Sequence, residues 1–236
     1  MEPSTPVLPT QVTPPELALS DAAPHAIVGV EVVAVPVLPG DDDTGPALGP
    51  GAEELSEQLG ADLLALARAT EDTDPSDCDP VDLREVFQDC VDLLSVQAEV
   101  KRMAIALDLP GDPLPVRGEV GDLEQIASNL VGNAVKYSPD GSTVTVVLAS
   151  GEAEHGHDEV VVAVSDQGIG ISPEDQARLF EEFFRSDDPA ACRQPGTGLG
   201  LAIVKRVVDR LCGTIAVDSA PGEGSTFTVC LPRAVD

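Results

Sequence analysis

Ten of the chain's 21 prolines lie in its first 50 residues. Proline fixes φ and removes an amide donor, so regular helices and sheets must be built almost wholly from the residues beyond position 50. Residues 1–15 read as a Pro-rich disordered stretch. Residues 26–38 alternate valine with small residues and predict one isolated strand. Asp41-Asp42-Asp43 and the glycines of 45–51 predict a linker. Residues 1–51 are therefore expected to be a largely disordered segment. From Ala52 the pattern changes. Leu55, Leu59, Leu63 and Leu66 recur at helical spacing among Glu53, Glu54, Glu57 and Asp62. That predicts an amphipathic helix over 52–72, which needs something to pack on to be stable.

Residues 80–233 read as one domain. Helices are predicted over 82–98, 122–137 and 199–212, with a short one from Pro173. Strands are predicted over 102–109, 114–117, 143–149, 159–165, 214–218 and 225–231, and a Pro/Gly/Asp-rich loop over 186–198. This makes the fold class α+β, a two-layer α/β sandwich with its helices on one face. Aromatics are 3% of the chain, so the core must be built mainly from Ala, Val, Leu and Ile.

Thirteen Lys and Arg against 42 Asp and Glu give a net charge of −29. Such acidity argues against an electrostatic grip on nucleic acid or an anionic membrane. It could reflect a salt-adapted or a GC-rich source. No apolar run of membrane-spanning length and no secretory signal is evident. The five scattered cysteines contain no C-x-x-C pair and read as reduced thiols, so a cytoplasmic protein is expected.

Four segments carry chemistry. On the helix over 122–137, Asn129, Asn133 and Lys136 share a stripe. Two carboxamides and a lysine can offer oxygens to a hard cation and a charge to phosphate; taken alone, the stripe also reads as a solvated polar edge of an amphipathic helix. Asp166-Gln167-Gly168-Ile169-Gly170-Ile171 follows an apolar strand. Its carboxylate can accept from an exocyclic amine such as that of adenine, or the segment is a strand-ending turn. Gly196-Thr197-Gly198-Leu199-Gly200-Leu201 opens a helix and exposes amides suited to phosphate. It is neither a dinucleotide fingerprint nor a P-loop. Gly222-Glu223-Gly224-Ser225-Thr226-Phe227 turns between the last two strands and alone reads as a hairpin.

In their order, these segments resemble the catalytic, ATP-binding domain of sensor histidine kinases, within the superfamily shared with gyrase B, Hsp90 and MutL. Asn129-Leu130-Val131-Gly132-Asn133-Ala134-Val135-Lys136-Tyr137 is similar to the N box and the 166–171 segment to the G1 box. Phe180-Glu181-Glu182-Phe183-Phe184-Arg185 resembles the F box, 196–201 the G2 box and 222–227 the G3 turn. The resemblance covers about residues 80–233 and implies a Bergerat-type ATP-binding fold with ATP and Mg²⁺ as ligands. It implies Asn133 as the Mg²⁺ ligand with Asn129 beside it, Lys136 on phosphate and Tyr137 beside the adenine. Asp166 would take the adenine amine, Gly168 and Gly170 would line the base pocket, and Thr226 would help hold it. Ile171, Phe180, Leu199 and Leu201 fall within the nucleotide-binding boxes. Residues 186–198 would form a lid closed by Gly196, Thr197, Gly198 and Gly200, with Arg185 near the γ-phosphate.

Relatives that hydrolyse ATP, and the anti-sigma serine kinases, carry a glutamate base four residues before the Mg²⁺ asparagine. Here that position is Asn129, and a carboxamide cannot accept a proton from water or serine. Transfer to a histidine is favoured, and a regulatory ATPase or serine kinase is disfavoured. The helix over 52–72 resembles the end of the second helix of a dimerising, phosphoacceptor hairpin. No His-Glu-x-x-x-Pro box occurs in the 236 residues. His25 sits among helix breakers and is a poor acceptor. His155 and His157 form either a weak metal pair or part of a polar loop. The expected activity is that of an ATP-dependent protein histidine kinase of two-component signalling, acting on a histidine-bearing partner or response regulator system, with a homodimer left open. The alternative is a degenerate, non-catalytic ATP-binding or scaffolding protein.

Overall fold

The structure is a computed structural model that describes residues 50–69, 74–152 and 158–234. The strand expected over 26–38 and the histidines His25, His155 and His157 lie outside the described residues. All the described residues belong to one unit, Pro46–Asp236.

The elements run in the order α1 (Pro50–Ala69), β1 (Pro80–Asp82), α2 (Leu83–Val100), β2 (Ala104–Asp108), β3 (Pro115–Arg117), α3 (Val120–Tyr137), β4 (Thr143–Glu152), β5 (Asp158–Asp166), α4 (Pro173–Gln176), α5 (Pro189–Cys192), α6 (Gly200–Arg210), β6 (Thr214–Ala220) and β7 (Gly224–Pro232). Five strands form one sheet in the order β2-β4-β5-β7-β6, and β1 pairs with β3 in a separate two-stranded ribbon. Among the described residues only the β2–β4 pair is parallel; the segment between them contains α3 as the crossover.

Register explains the core. Leu107, Val146, Val164, Phe227 and Val217 stand in one row across all five strands. Leu148, Val162, Val229 and Ile215 form the next row. Because side chains alternate along a strand, these rows share one face. The buried faces of α2, α3 and α6, including Phe87, Ile126, Leu130, Ile203 and Val207, join them in one cluster. The opposite face carries small side chains such as Thr145, Ala163, Thr228 and Ala216. The result is a two-layer sandwich with its helices on one side.

Element limits differ from the sequence reading where the backbone ladder outruns the apolar pattern. β4 and β5 continue as a hairpin to the pair Glu152–Asp158, through the polar Ser150 and Gly151. β1 was not expected, because three residues carry no period. The loop over 186–198 contains the single turn α5, started by Asp188, whose side chain accepts from the N–H groups of Ala190 and Ala191.

α2 starts at a strong cap. Asp82 accepts from the N–H of Arg84 and of Leu114, each at 3.1 Å, and from the Arg84 guanidinium at 2.6 Å. Arg84 also donates to the Gly111 carbonyl at 2.7 Å. The guanidinium holds the Asp82 carboxyl below its ordinary value of 3.8. Its stabilisation is therefore present above that value and is lost as pH falls through the lower folded value. Asp82→Ala should cost about 2 kcal/mol, through the lost cap and the orphaned Leu114 N–H. A lower urea midpoint at neutral pH with an unchanged slope would show it.

α1 docks through Asp62 and Ala69, with Ala65 and Leu66 half-buried behind them. Arg210 of α6 donates to the Arg68 carbonyl at 2.8 Å and pairs with Asp122 of α3, joining three helices. Leu55, Leu59, Leu63 and Leu64 stay exposed. Among the described residues no helix is long and apolar enough to cross a membrane.

Candidate functional site

A cavity of about 690 Å³ opens between α3, the 166–171 loop, the 184–201 segment and α1. Its two ends differ in chemistry.

At one end stands Asp166, the last residue of β5. The alternation that sends Val160, Val162 and Val164 inward also turns Asp166 toward the helices. Its carboxylate accepts from the Gly168 N–H at 2.7 Å and from the Ser225 N–H. Burial pushes its pKa above 3.8, and the two N–H groups pull the other way. The loop after it is braced on three sides. The Ile171 N–H donates to Ser219 Oγ at 2.9 Å, and Gln176 Nε2 donates to the carbonyls of Ile171 and Ser219, both at 2.8 Å. Gly170 has φ +68°, and a Cβ there would run into the Ala220 carbonyl oxygen. Only glycine lets this loop lie so close to the end of β6.

The other end is rich in donors. Asn129, Asn133 and Lys136 reach it from successive turns of α3. Asn129 Nδ2 is buried without a hydrogen-bond partner, while Asn129 Oδ1 lies 2.6 Å from where a Cβ on Gly200 would stand. Glycine at that position allows α6 to begin against the asparagine. No side chain caps α6, so its first-turn N–H groups, which have no acceptor within the helix, remain for an anion. Lys136 Nζ lies 4.9 Å from the Tyr137 ring centroid. Burial lowers its pKa, as does Arg185, and Asp62 opposes both.

The segment expected to form a lid is fastened from two directions. Arg185 donates to the Gly196 and Gln194 carbonyls at 2.8 and 2.7 Å. Thr197 Oγ1 donates to Asp62 Oδ2 at 2.5 Å and accepts from the Leu199 N–H at 3.3 Å.

Asn129, Asn133, Lys136, Tyr137, Asp166, Gly170, Ile171, Arg185, Gly196, Thr197, Gly198, Gly200 and Leu201 all meet at this cavity. Four residues of the sequence reading do not line it. Gly168 is buried behind it, where a Cβ would stand 2.8 Å from the Tyr137 carbonyl oxygen, so it spaces the loop from α3. Leu199 is fully buried in the core. Phe180 stands off the wall, which Leu179 and Phe184 form instead. Thr226 lies on the opposite face of the sheet, its hydroxyl 2.9 Å from Ser165 Oγ.

The residue on the site side of β7 is Ser225, buried, on the cavity wall and 2.9 Å from Ser219 Oγ. Strand alternation counted back from the inward Phe227 would have found it. Lys101 was also missed. Its ammonium donates to the carbonyls of Val135, Lys136 and Ser138, at 2.7, 3.2 and 2.7 Å, and so caps α3 beside the site. No local pattern marks a contact 34 to 37 residues away. The same holds for Asp62.

An acceptor at one end and donors at the other suit a ligand with an amine-bearing ring and an anionic tail. Asn129 and Asn133 supply the carboxamide oxygens that a hard cation on that tail would need.

The family model for histidine kinase-, DNA gyrase B- and HSP90-like ATPases matches residues 118–235. The sensor-like histidine kinase SenX3 of Mycolicibacterium smegmatis is 38% identical over 185 residues, which are 78% of this chain and 46% of that protein. The chain thus spans about half the length of that relative. The solved mycobacterial sensor histidine kinase MprB is 31% identical with a TM-score of 0.58, over 67% of this chain and 99% of that one. Full-length ShkA in complex with AMPPNP is 32% identical with a TM-score of 0.62, over 78% of this chain and 36% of that one.

Proposed function

The chain belongs to the histidine kinase-, DNA gyrase B- and HSP90-like ATPase family, and from that membership we propose that it is a protein histidine kinase of two-component signalling. It binds Mg-ATP in the cavity and transfers the γ-phosphoryl group to a histidine. The observation that carries this reading is one cavity holding the Asp166 acceptor at one end and Asn129, Asn133, Lys136 and the uncapped start of α6 at the other.

Asp166 accepts a hydrogen bond from the adenine amine, held in place by the Gly168 and Ser225 N–H groups. Tyr137 flanks the base. Lys136 and the α6 amides hold the phosphates. The Asn129 Nδ2 has no hydrogen-bond partner, and glycine at 200 lets α6 start against the same carboxamide, which fits a bound Mg-triphosphate that completes its hydrogen bonding. Asn133, with Asn129 beside it, would hold Mg²⁺, which when bound supplies neutralising charge to the phosphates. The acceptor imidazole nitrogen bonds to the γ-phosphorus as the bond to the β–γ bridging oxygen breaks and ADP leaves. No base is required at Asn129, because imidazole is already a nucleophile. Arg185, fastened to the Gly196 and Gln194 carbonyls, holds the lid near the transferring group.

Helix α1 serves as the end of the second hairpin helix, and the exposed Leu59 and Leu63, which share one side of it, offer apolar surface for the helix that carries the acceptor. Partners are then a histidine-bearing protein or second copy and a response regulator, in the cytoplasm where ATP is supplied.

The test is incubation with γ-labelled ATP and Mg²⁺, alone and with isolated acceptor hairpins. Acid-labile, alkali-stable label is the expected result. Tight ATP binding with no label on any hairpin would instead make this a non-catalytic ATP-binding protein.

A further inference from the structure

Asp62 belongs to α1, outside the segment matched by the family model, yet it lines the nucleotide cavity. It is 4% exposed. One carboxylate oxygen accepts from Gln58 Nε2 at 2.7 Å and the other from Thr197 Oγ1 at 2.5 Å. Both partners are neutral, and among the described residues no ion pair includes Asp62. A buried negative charge therefore sits at the donor-rich end, close enough to act on Lys136, and holds the hydroxyl of the glycine-rich segment.

We propose that Asp62 is a specificity-determining residue that gates the polyphosphate end, so that entry of the phosphates breaks the Asp62–Thr197 bond and loosens α1. This rests on the nucleotide reading above. The physical argument is one of sign. Phosphates and Asp62 are both anionic and share Lys136 and the 196–201 segment. Like charges at short range in a partly buried site repel more strongly than in water. Adenosine carries no such charge and should leave the bond in place. The helix is also held by the half-buried Ala65 and Leu66, the buried Ala69 and Arg210 on the Arg68 carbonyl, all C-terminal to Asp62, so release at Asp62 loosens the turns before it first.

The experiment measures ATP and adenosine affinities of the whole chain and of Asp62→Asn, together with amide hydrogen exchange over 58–66. Asn keeps the volume and an oxygen for Thr197 but removes the charge. The ratio of ATP to adenosine affinity should rise about fivefold in Asp62→Asn. In the unaltered chain, ATP but not adenosine should speed exchange over 58–66. Thr197→Val, which cuts the bond from the other side, should speed the same amides with no ligand present. An unchanged or lowered affinity ratio overturns the proposal, as does exchange over 58–66 that ATP leaves alone or slows. If the unaltered chain binds neither adenosine nor ATP, the nucleotide reading fails and this proposal falls with it. Binding of both with no effect of Asp62→Asn overturns the gate alone.

Discussion

Asp166→Asn should weaken ATP binding about a hundredfold or more while leaving the fold intact. The substitution keeps one oxygen for the Gly168 N–H. It replaces the other oxygen with an NH₂ that faces the adenine amine, so a donor meets a donor. Losing a charge-assisted hydrogen bond in a half-buried site, and leaving donors unpaired, together reach this size. Titration with ATP and adenosine checks it, because both carry the amine and both should weaken alike. Equal affinities for the variant and the unaltered chain would remove Asp166 from the base pocket. The pH dependence stems from the same burial. The folded pKa of Asp166 lies above its ordinary 3.8. Its charge therefore costs stability at neutral pH, and that cost is relieved as pH falls through the raised folded value. Nucleotide affinity should run the other way and fall over that same range in the unaltered chain, since a protonated carboxyl loses its charge-assisted acceptance.

Asn133→Ala should abolish phosphoryl transfer, by about a thousandfold, with a much smaller loss of adenosine binding. Phosphoryl transfer depends on positioning and on charge neutralisation, and removing one electrostatic contact to the transferring group costs about 10²–10³ in rate. The Asn133 side chain is half-buried on the cavity wall, while the packed face of α3 is made by Leu123, Ile126, Leu130 and Ala134. Truncating it removes little packing, so an unchanged melting curve would separate a lost contact from a lost fold. Labelled ATP with an acceptor hairpin gives the rate. Undiminished label in Asn133→Ala would assign the metal-holding role elsewhere, and Asn129 is the neighbouring candidate.

Much of this site could be read from the amino-acid sequence because its parts are local. Asn129, Asn133 and Lys136 are spaced by helix geometry. Asp166 is placed by ending an apolar strand, and the glycines by the turns they permit. The fold was legible for a related reason: apolar residues at period two, valines in β4 and β5 and Phe227, Val229 and Leu231 in β7, mark the inward faces of these strands. What stayed hidden is what register and distance decide. Thr226 and Ser225 are adjacent letters, and only the inward phase of Phe227 says that Ser225 faces the helices and Thr226 the open side. Lys101, Gln176 and Asp62 reach the site across folds of the chain. Their contacts with Val135, Ser219 and Thr197 have sequence separations that no periodic pattern encodes.

The aromatic-poor core has a spectroscopic consequence. The chain has one tyrosine and no tryptophan, and that tyrosine, Tyr137, stands on the cavity wall beneath the Lys136 ammonium. Near-ultraviolet emission excited at the tyrosine band therefore comes from a single fluorophore inside the site. Ligand entry, a change in the ammonium above the ring, or a shift of the segment carrying Arg185 would each alter that emission directly, and the protein carries its own optical probe without a label.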